Sequence, residues 1–134
     1  MNLQYSPKNN PRVIVIQKLY GMYFNKDENL SFPKHRFKKF IKDVVIGTIE
    51  RDEVIKDEIS NHLNNDLSLK KLDKVFQVIV KSAIFELLYK PKTSSKIIIN
   101  EYLRASNFFI DDKQTKYLNA LLDKISKKIR STNG

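Results

Sequence analysis

One stretch of the sequence, from about Lys70 to Tyr89, constrains the fold more than any other. Its apolar residues fall on nearly every side of a helix, whereas a surface helix confines them to one stripe. They are Leu72, Val75, Phe76, Val78, Ile79, Val80, Ala83, Ile84, Phe85, Leu87 and Leu88. Pro91 ends this helix, because proline has no N–H to donate. We therefore predict a central helix that other helices enclose.

Three helices are predicted before it. The first begins at Asn10-Pro11, an N-cap residue followed by proline at the first helical position, and runs to about Asn25. The second opens at Pro33, and its apolar stripe consists of Phe37, Phe40, Ile41, Val44, Val45, Thr48 and Ile49. The third is shorter and carries Val54, Ile55, Ile59 and Leu63. It ends at Asn64-Asn65-Asp66, a turn-forming cluster that we interpret as the seam between two subdomains.

Two helices are predicted after it, each with a capping residue. Ser94 or Ser95 caps a fifth helix that continues through Asn107, and Asp111 with Gln114 makes a capping-box-like start to a sixth. The sixth helix presents Tyr117, Leu118, Leu121, Leu122, Ile125 and Ile129 inward. Its last basic residues are predicted to favour the negative end of its own dipole, and they are Lys127, Lys128 and Arg130.

The composition favours an all-α protein made of two small helical bundles that share one core. Three glycines and four prolines in 134 residues leave few of the turn residues that a β-sandwich or barrel needs. The length fits one domain over residues 1–134, with helical subdomains at about 10–64 and 70–131. Residues 1–9 are polar and are predicted to be mobile.

Catalytic motifs are missing from the sequence, and we predict neither an enzyme nor a cofactor or metal site. Gly21, Gly47 and Gly134 are isolated, so they build neither a phosphate-binding nor a dinucleotide-binding loop. His35 and His62 stand far apart without partners at metal-ligand spacing. Cysteine is absent and the apolar runs are too short to span a bilayer, which points to a cytoplasmic protein.

The net charge of +10 and the pI near 9.7 favour a polyanionic partner, with nucleic acid as the first candidate. Two interpretations stay open. In one, cations and aromatic rings form a binding surface that includes Lys8, Arg12, Phe109, Lys113, Lys116 and Tyr117. In the other, Phe109 and Tyr117 belong to the core, the lysines are solvated, and the lysine excess reflects an AT-rich coding sequence.

Two further segments carry polar residues that need an interpretation. Arg36-Phe37-Lys38-Lys39 looks like a basic patch, but the helical period turns Phe37 inward, so we interpret it as a solvated face. Asn100-Glu101 and Asn119 interrupt apolar runs with groups that a core would otherwise exclude. Specific contacts are therefore predicted to hold these polar side chains.

Four blocks of sequence occur in a fixed order on the predicted helices. They are Val15-Ile16-Gln17-Lys18-Leu19-Tyr20, the run from Leu72 to Leu87, Ile99-Asn100-Glu101, and Lys116-Tyr117-Leu118-Asn119-Ala120-Leu121-Leu122-Asp123-Lys124. The first resembles an Ala-Val-Gln-Ala-Leu-Tyr block, and the last resembles a Lys-Phe-Val-Asn-Gly-hydrophobic-Leu-Asp signature, both of the NusB family of transcription antitermination factors. Order, spacing and total length agree over nearly the whole chain.

This resemblance implies an all-helical pair of three-helix bundles without catalytic activity. It implies a protein that binds the boxA element of ribosomal RNA leader transcripts together with NusE, a ribosomal small-subunit protein. The assembly helps RNA polymerase to read through terminators, as part of an antitermination complex. Members of the family occur as monomers or homodimers, and no membrane association is implied.

The resemblance also implies where RNA and NusE bind. The basic amino-terminal segment of the family touches RNA, which transfers to Lys8 and Arg12, and the start of the last helix completes the RNA face. The residues at that start are Phe109, Lys113, Lys116, Tyr117 and Asn119. The surface that faces NusE transfers to Tyr20, Phe24 and Phe76. The family's arginine-rich run is reduced here, which predicts weaker intrinsic RNA affinity and greater dependence on the partner.

Two alternative functions are weighed against this one. The same fold forms the amino-terminal RNA-binding domain of a ribosomal RNA cytosine-C5 methyltransferase, although the chain ends at Gly134 without a cofactor-binding domain. A basic helical scaffold without RNA specificity would bind acidic proteins or anionic membranes through charge alone. The scaffold predicts no preference for boxA RNA and no dependence on Lys116 or Tyr117.

Overall fold

The computed structural model describes residues 7–25, 31–32, 34–62 and 72–130, and these ranges contain α-helices and no β-strand. The helices are α1 (Pro11–Gly21), α2 (Lys38–Glu50), α3 (Asp52–Ser60), α4 (Lys74–Tyr89), α5 (Ser95–Ser106) and α6 (Asp112–Arg130). A short 3₁₀ turn, Pro7–Asn9, precedes α1 and lies within the segment predicted to be mobile. The predicted all-helical class is confirmed.

Helix α4 is the centre of the fold, as its sequence predicts. It packs against each of the other five helices. From Val78 to Leu87 every one of its side chains is buried, including the polar residues Lys81, Ser82 and Glu86. Because apolar residues surround this helix on all sides, its neighbours must shield it completely from water. None of the helices in the described part of the chain is long and apolar enough to cross a membrane.

The directions of the helices are set by contacts at the two ends of α4. Arg12 near the start of α1 contacts Glu86 near the end of α4, so α1 runs antiparallel to α4. Gln114 at the start of α6 donates to Asp73, the N-cap of α4, so α6 runs in the same direction as α4. We call these regions the carboxyl end and the amino end of α4. With a rise of 1.5 Å per residue, Asp73 and Glu86 lie about 20 Å apart.

Local hydrogen bonds start three helices as the sequence predicts. The Asn10 side chain accepts the N–H groups of Arg12 and Val13, at 3.0 and 3.3 Å, and Pro11 opens α1. Ser94 caps α5 by accepting the N–H of Ile97 at 3.2 Å. For α6, the N–H of Gln114 donates to Asp111 Oδ1 at 2.7 Å and the N–H of Asp111 donates to Gln114 Oε1 at 3.2 Å. These reciprocal bonds form the predicted capping box.

The predicted start of α2 at Pro33 is wrong, because the helix begins five residues later at Lys38. The N–H of Phe37 donates to His35 Nδ1 at 2.9 Å, and Phe37 has the non-helical angles φ −109° and ψ 31°. Phe37 therefore leaves the buried stripe and is 39% exposed. Helix α1 likewise ends at Gly21, earlier than predicted. The structure of Pro33, and of the predicted seam at 64–66, lies outside the described residues.

A close approach between α2 and α4 depends on Gly47. A Cβ atom at this position would overlap the ring of Phe85, which is buried against α2. The two helices therefore approach more closely there than a side chain allows. Sequence reasoning treats Gly47 only as an isolated glycine, since nothing local announces that a ring from another helix covers it.

Candidate nucleic-acid and partner interface

At the carboxyl end of α4, Arg12 forms a buried ion pair with Glu86. Arg12 Nε donates to Glu86 Oε2 at 3.0 Å, and Arg12 Nη2 donates to Glu86 Oε1 at 2.7 Å. Their side chains are 11% and 1% exposed. The guanidinium lies over the rings of Phe40 and Tyr102, at 4.8 and 5.5 Å from their centroids. Burial by itself lowers the pKa of Arg12, but the hydrogen bonds and charge of Glu86 outweigh it and the pKa is raised.

This geometry gives Arg12 a structural role, because its guanidinium is buried and donates through Nε and Nη2 to the Glu86 carboxylate. The contacts described for the Arg12 side chain all lie within the protein. The RNA contact predicted for Arg12 stays a prediction. The sequence does carry a signal for the pair. Glu86 is the one carboxylate in the most apolar helix, so its burial requires a cation from another element.

Tyr102 completes this buried polar cluster. Burial raises the pKa of Tyr102 well above its ordinary value, and the charge of Glu86 raises it further. Within the described residues its hydroxyl makes no hydrogen bond, although it lies beside Glu86 and Ser82. Ser82 turns its own hydroxyl to the carbonyls of Val78 and Ile79, at 2.9 and 3.1 Å. The cluster therefore holds α1, α4 and α5 together and offers nothing to solvent.

Arg130 ties α6 to the same end of α4. Its guanidinium donates to the carbonyl oxygens of Leu87 at 3.1 Å, Lys90 at 3.1 Å, Thr93 at 2.6 Å and Glu86 at 3.4 Å. Arg130 lies in the last turn of α6, at the negative end of that helix's dipole, as the sequence predicts. Its guanidinium also reaches the carboxyl end of α4 and the turn after it, where carbonyl oxygens lack partners within a helix.

At the amino end of α4, the residues predicted for RNA binding gather around the start of α6. Lys113 and Lys116 are exposed, and Tyr117 is half-buried on the same face of the helix. The Tyr117 ring packs on the ring of Phe76, with 5.5 Å between centroids. Phe109, in the turn before α6, is also half-buried and packs against the core. Both aromatic residues are thus partly buried and partly exposed, between the two interpretations of the sequence.

The residues predicted to face NusE lie beside this cluster. Tyr20 and Phe24, at the end of α1, pack edge to face with centroids 5.1 Å apart, and Phe24 is 68% exposed. Lys74 Nζ, in the first turn of α4, lies 5.8 Å from the Phe24 centroid. Phe76 is only 3% exposed, so the fold buries its side chain. Its predicted contact with NusE stays a prediction.

Lys8 lies apart from the cluster at the start of α6. It is exposed in the 3₁₀ turn before α1, where its carbonyl oxygen accepts a hydrogen bond from His35 Nε2 at 2.8 Å. Since α1 starts near the carboxyl end of α4, Lys8 lies at the opposite end of α4 from Lys116, on the order of 20 Å away. The candidate RNA residues therefore form two groups.

Asn119 lies in a groove between α5 and α6. The groove has a volume of about 490 Å³ and is lined in part by Lys96, Asn100, Asn119, Asp123, Lys127 and Arg130. Asn100 and Asn119 are both exposed, and Glu101 is half-buried. Each amide lies on the outward side of its helix, and the specific contacts predicted for these side chains stay a prediction. No group of residues that could hold a metal ion occurs in the described ranges.

Comparisons with known proteins agree with the resemblance of the sequence blocks. A model of the NusB family matches residues 9–127. Transcription antitermination protein NusB from Rickettsia bellii (strain OSU 85-389) is 31% identical over 130 residues, which cover 92% of this chain and 81% of that protein. The protein of the same name from Rickettsia felis (strain ATCC VR-1525 / URRWXCal2) is 27% identical over 122 residues, with 85% and 76% covered.

Two solved structures share the fold. NusB from T. maritima superposes with a TM-score of 0.78 at 25% identity, covering 92% of each chain. A chain from a crystal structure of the antitermination factors NusB and NusE in complex with dsRNA superposes with a TM-score of 0.76 at 18% identity, covering 95% of this chain and 99% of that one.

Proposed function

This chain belongs to the NusB family, and from that premise we propose that it is a transcription antitermination factor that binds RNA. In this proposal it binds the boxA element of ribosomal RNA leader transcripts together with NusE, in the cytoplasm. The assembly then acts in the antitermination complex of RNA polymerase. The protein contributes binding and no catalysis. Support comes from curated relatives named as antitermination proteins and from a fold neighbour crystallised with NusE and dsRNA.

One observation carries the RNA part of the proposal: cations and half-exposed aromatic rings meet at the start of α6. Lys113 and Lys116 make no ion pair within the described residues, so their charge is available to phosphates. The exposed edges of Phe109 and Tyr117 are suited to contacts with bases. Asn119 follows Lys116 by one turn, so an RNA strand along this face meets an amide next.

The surface proposed for NusE adjoins the RNA surface through the amino end of α4. Phe24 and Tyr20 present aromatic surface, and Lys74 places a cation over the Phe24 ring. Exposed aromatic residues beside a cation are typical anchors of protein interfaces. Because Asp73 also receives the Gln114 side chain of α6, the two surfaces share one short stretch of backbone.

Lys8 extends the proposed RNA contacts toward the other end of α4. In this proposal Arg12 acts indirectly, since its ion pair with Glu86 fixes the start of α1 and hence the position of Lys8. Phe76 also acts indirectly, because its ring supports that of Tyr117. The directly binding residues are then Lys8, Phe109, Lys113, Lys116, Tyr117 and Asn119.

The test is a titration of the protein, with and without NusE, against fluorescent boxA RNA and a scrambled RNA at two salt concentrations. We expect preference for boxA, tighter binding with NusE, and loss of affinity in Lys116→Glu. Lys92→Glu, at an exposed position in the turn after α4, is the matched control for the change of charge. A Lys92→Glu variant that loses as much affinity as Lys116→Glu contradicts the proposed face.

Tyr117 is tested with two variants, one that removes its ring and one that keeps the ring on Phe76. Tyr117→Leu keeps an apolar side chain but removes the ring, and we expect its affinity for boxA RNA to fall by about fivefold or more. Tyr117→Phe keeps the ring and is expected to retain affinity. Equal binding of boxA and scrambled RNA, unchanged by NusE, would instead describe a basic helical scaffold.

A further inference from the structure

Six cations crowd the surface around the start of α2. They are Lys8, Lys34, Arg36, Lys38, Lys39 and Lys42, and all of them are exposed. The hydrogen bond from His35 Nε2 to the carbonyl of Lys8 joins the turn before α1 to the segment before α2. None of the six forms an ion pair with a carboxylate in the described ranges, whereas Lys56, Lys81 and Lys127 each do. We call this group the α2 basic patch.

An aromatic surface lies among these charges. Phe37 is exposed, the guanidinium of Arg36 lies 5.1 Å from its ring centroid, and the His35 ring lies 5.9 Å from it at an angle of 38°. Sequence periodicity turns Phe37 inward, but the helix begins only after it, so the ring stays outside the core. The patch therefore offers flat groups for stacking as well as charge.

The charge distribution of α2 opposes its own dipole. Its first turn contains no acidic residue, its N-cap Phe37 makes no side-chain capping bond, and Lys38, Lys39 and Lys42 follow. Cations near a helix amino terminus are unfavourable, and α3 and α6 instead begin with acidic residues. Helices α1, α4 and α5 also lack an acidic first turn, but α1 and α5 have a side-chain cap, and α4 carries one lysine in its first turn where α2 carries two. A local arrangement that costs stability is typical of a surface kept for a ligand, and a polyanion would relieve the repulsion.

We propose that the α2 basic patch binds the phosphates and bases of the RNA that flanks boxA. This inference rests on the proposed function, since it places the boxA segment at the start of α6 and extends the same strand past Lys8 onto α2. RNA fits the patch better than an acidic protein, because six exposed cations without a carboxylate partner in the described ranges match the regular phosphates of a strand, and the ring of Phe37 among them stacks on a base. The surface at Phe24 differs, since two rings meet a single lysine there.

The experiment compares a boxA core RNA with a longer RNA that carries unstructured flanks on both sides. Lys38→Gln/Lys42→Gln is the test variant, and Lys18→Gln/Lys92→Gln removes the same charge from α1 and from the turn after α4, at two lysines that form no ion pair in the described ranges. We expect the test variant to bind the longer RNA at least about tenfold more weakly at 0.1 M salt and the core RNA nearly unchanged. Its salt slope on the longer RNA should fall by about 1.4, or about 0.7 for each lost phosphate contact.

Stacking is tested at Phe37, which lies outside the core. Phe37→Leu keeps apolar cover at the start of α2 and should weaken binding of the longer RNA by about fivefold. Phe37→Tyr keeps the ring and should bind as the natural protein does. Circular dichroism and thermal unfolding of each variant check that α2 remains formed.

The outcomes separate this inference from the proposed function. If Lys38→Gln/Lys42→Gln binds the longer RNA with unchanged affinity, or if the control pair loses as much affinity, the inference about the α2 basic patch is wrong. Lys116→Glu tests boxA binding independently of that result. Lys38→Gln/Lys42→Gln could also bind the longer RNA normally by itself but no longer bind it more tightly when NusE is added. The patch is then a protein-binding surface, and the inference is wrong. If Lys116→Glu has no effect but the patch variants weaken both boxA and scrambled RNA, the proposed function fails and the patch remains an RNA-binding surface.

Discussion

The two ends of α4 carry the same kinds of side chain and use them in opposite ways. At the carboxyl end, Arg12 and Arg130 direct their guanidinium groups to Glu86 and to backbone carbonyls. At the amino end, Lys74 lies over the exposed ring of Phe24, and Lys116 reaches solvent. Charge and aromatic content therefore do not distinguish a structural cluster from a binding surface. The two are distinguished by whether a buried hydrogen-bond acceptor, such as the Glu86 carboxylate, lies within reach of the cation.

The physical reason lies in what each end leaves unsatisfied. A buried carboxylate and the last carbonyls of a helix need donors, and arginine supplies several donors in one rigid group. The amino end of α4 makes no such demand, because the groups left over there are N–H donors, which need acceptors and not cations. Cations near it remain available to a ligand.

The largest effect that tests this contrast is expected at Arg12. Arg12→Ala leaves Glu86 buried without a partner, and we expect a loss of about 3–5 kcal/mol in the free energy of unfolding. Urea denaturation measures it, with Lys8→Ala as a control that should change stability by less than about 0.5 kcal/mol. The double variant Arg12→Met/Glu86→Leu should recover most of the loss, because it removes both charges. A single variant within about 1 kcal/mol of the natural protein would contradict the structural role of Arg12.

A smaller loss is expected at Arg130, the other arginine of the carboxyl end. Arg130→Ala removes donors from the last carbonyls of α4, and we expect it to cost about 2 kcal/mol of stability. Arg130→Lys should restore less than half of that, because one ammonium group does not span carbonyls on both sides of the turn. The same denaturation assay applies, and full rescue by lysine would show that charge alone matters there.

At the amino end, Asp111→Ala removes the capping box of α6. We expect a loss of about 1 kcal/mol, because Asp111 Oδ1 is the acceptor for the N–H of Gln114. Hydrogen exchange should speed up in the first turn of α6 and remain unchanged around Glu86. Asp112→Ala keeps the cap and should have the smaller effect. Faster exchange at both ends would mean that the two ends are not independent.

The smallest effect is expected at His62, which lies between the two ends against α6. Burial lowers the pKa of His62 below its usual 6.5, the charge of Lys128 lowers it further, and Glu58, 3.9 Å away, offsets part of this. The folded protein thus prefers the neutral ring, so this contribution to stability is complete above pH 6.5 and is lost as the pH falls through the folded pKa. The denaturation midpoint should drop more between about pH 7.5 and about pH 5.5 in the natural protein than in His62→Gln. Equal drops of the denaturation midpoint in the two proteins would show that protonation of His62 does not affect stability.

Sequence reasoning was most accurate where the physics is local. The Asn10 cap, the Ser94 cap and the Asp111–Gln114 box each join residues within one turn, so their partners are readable from adjacent positions. It failed at Phe37, because a local bond between His35 and the N–H of Phe37 competes with the helix and delays its start. Periodicity does not register that competition.

The sequence by itself determined the all-helical class, the central position of α4 and the family, since apolar periodicity, caps and ordered sequence blocks are properties of neighbouring residues. Only the tertiary structure decided which cations are available. Arg12 and Glu86 are 74 residues apart, and Arg130 reaches carbonyls about forty residues before it, so no local rule assigns them to each other. Packing brings them together, because a buried carboxylate and an open helix end must be satisfied within the fold.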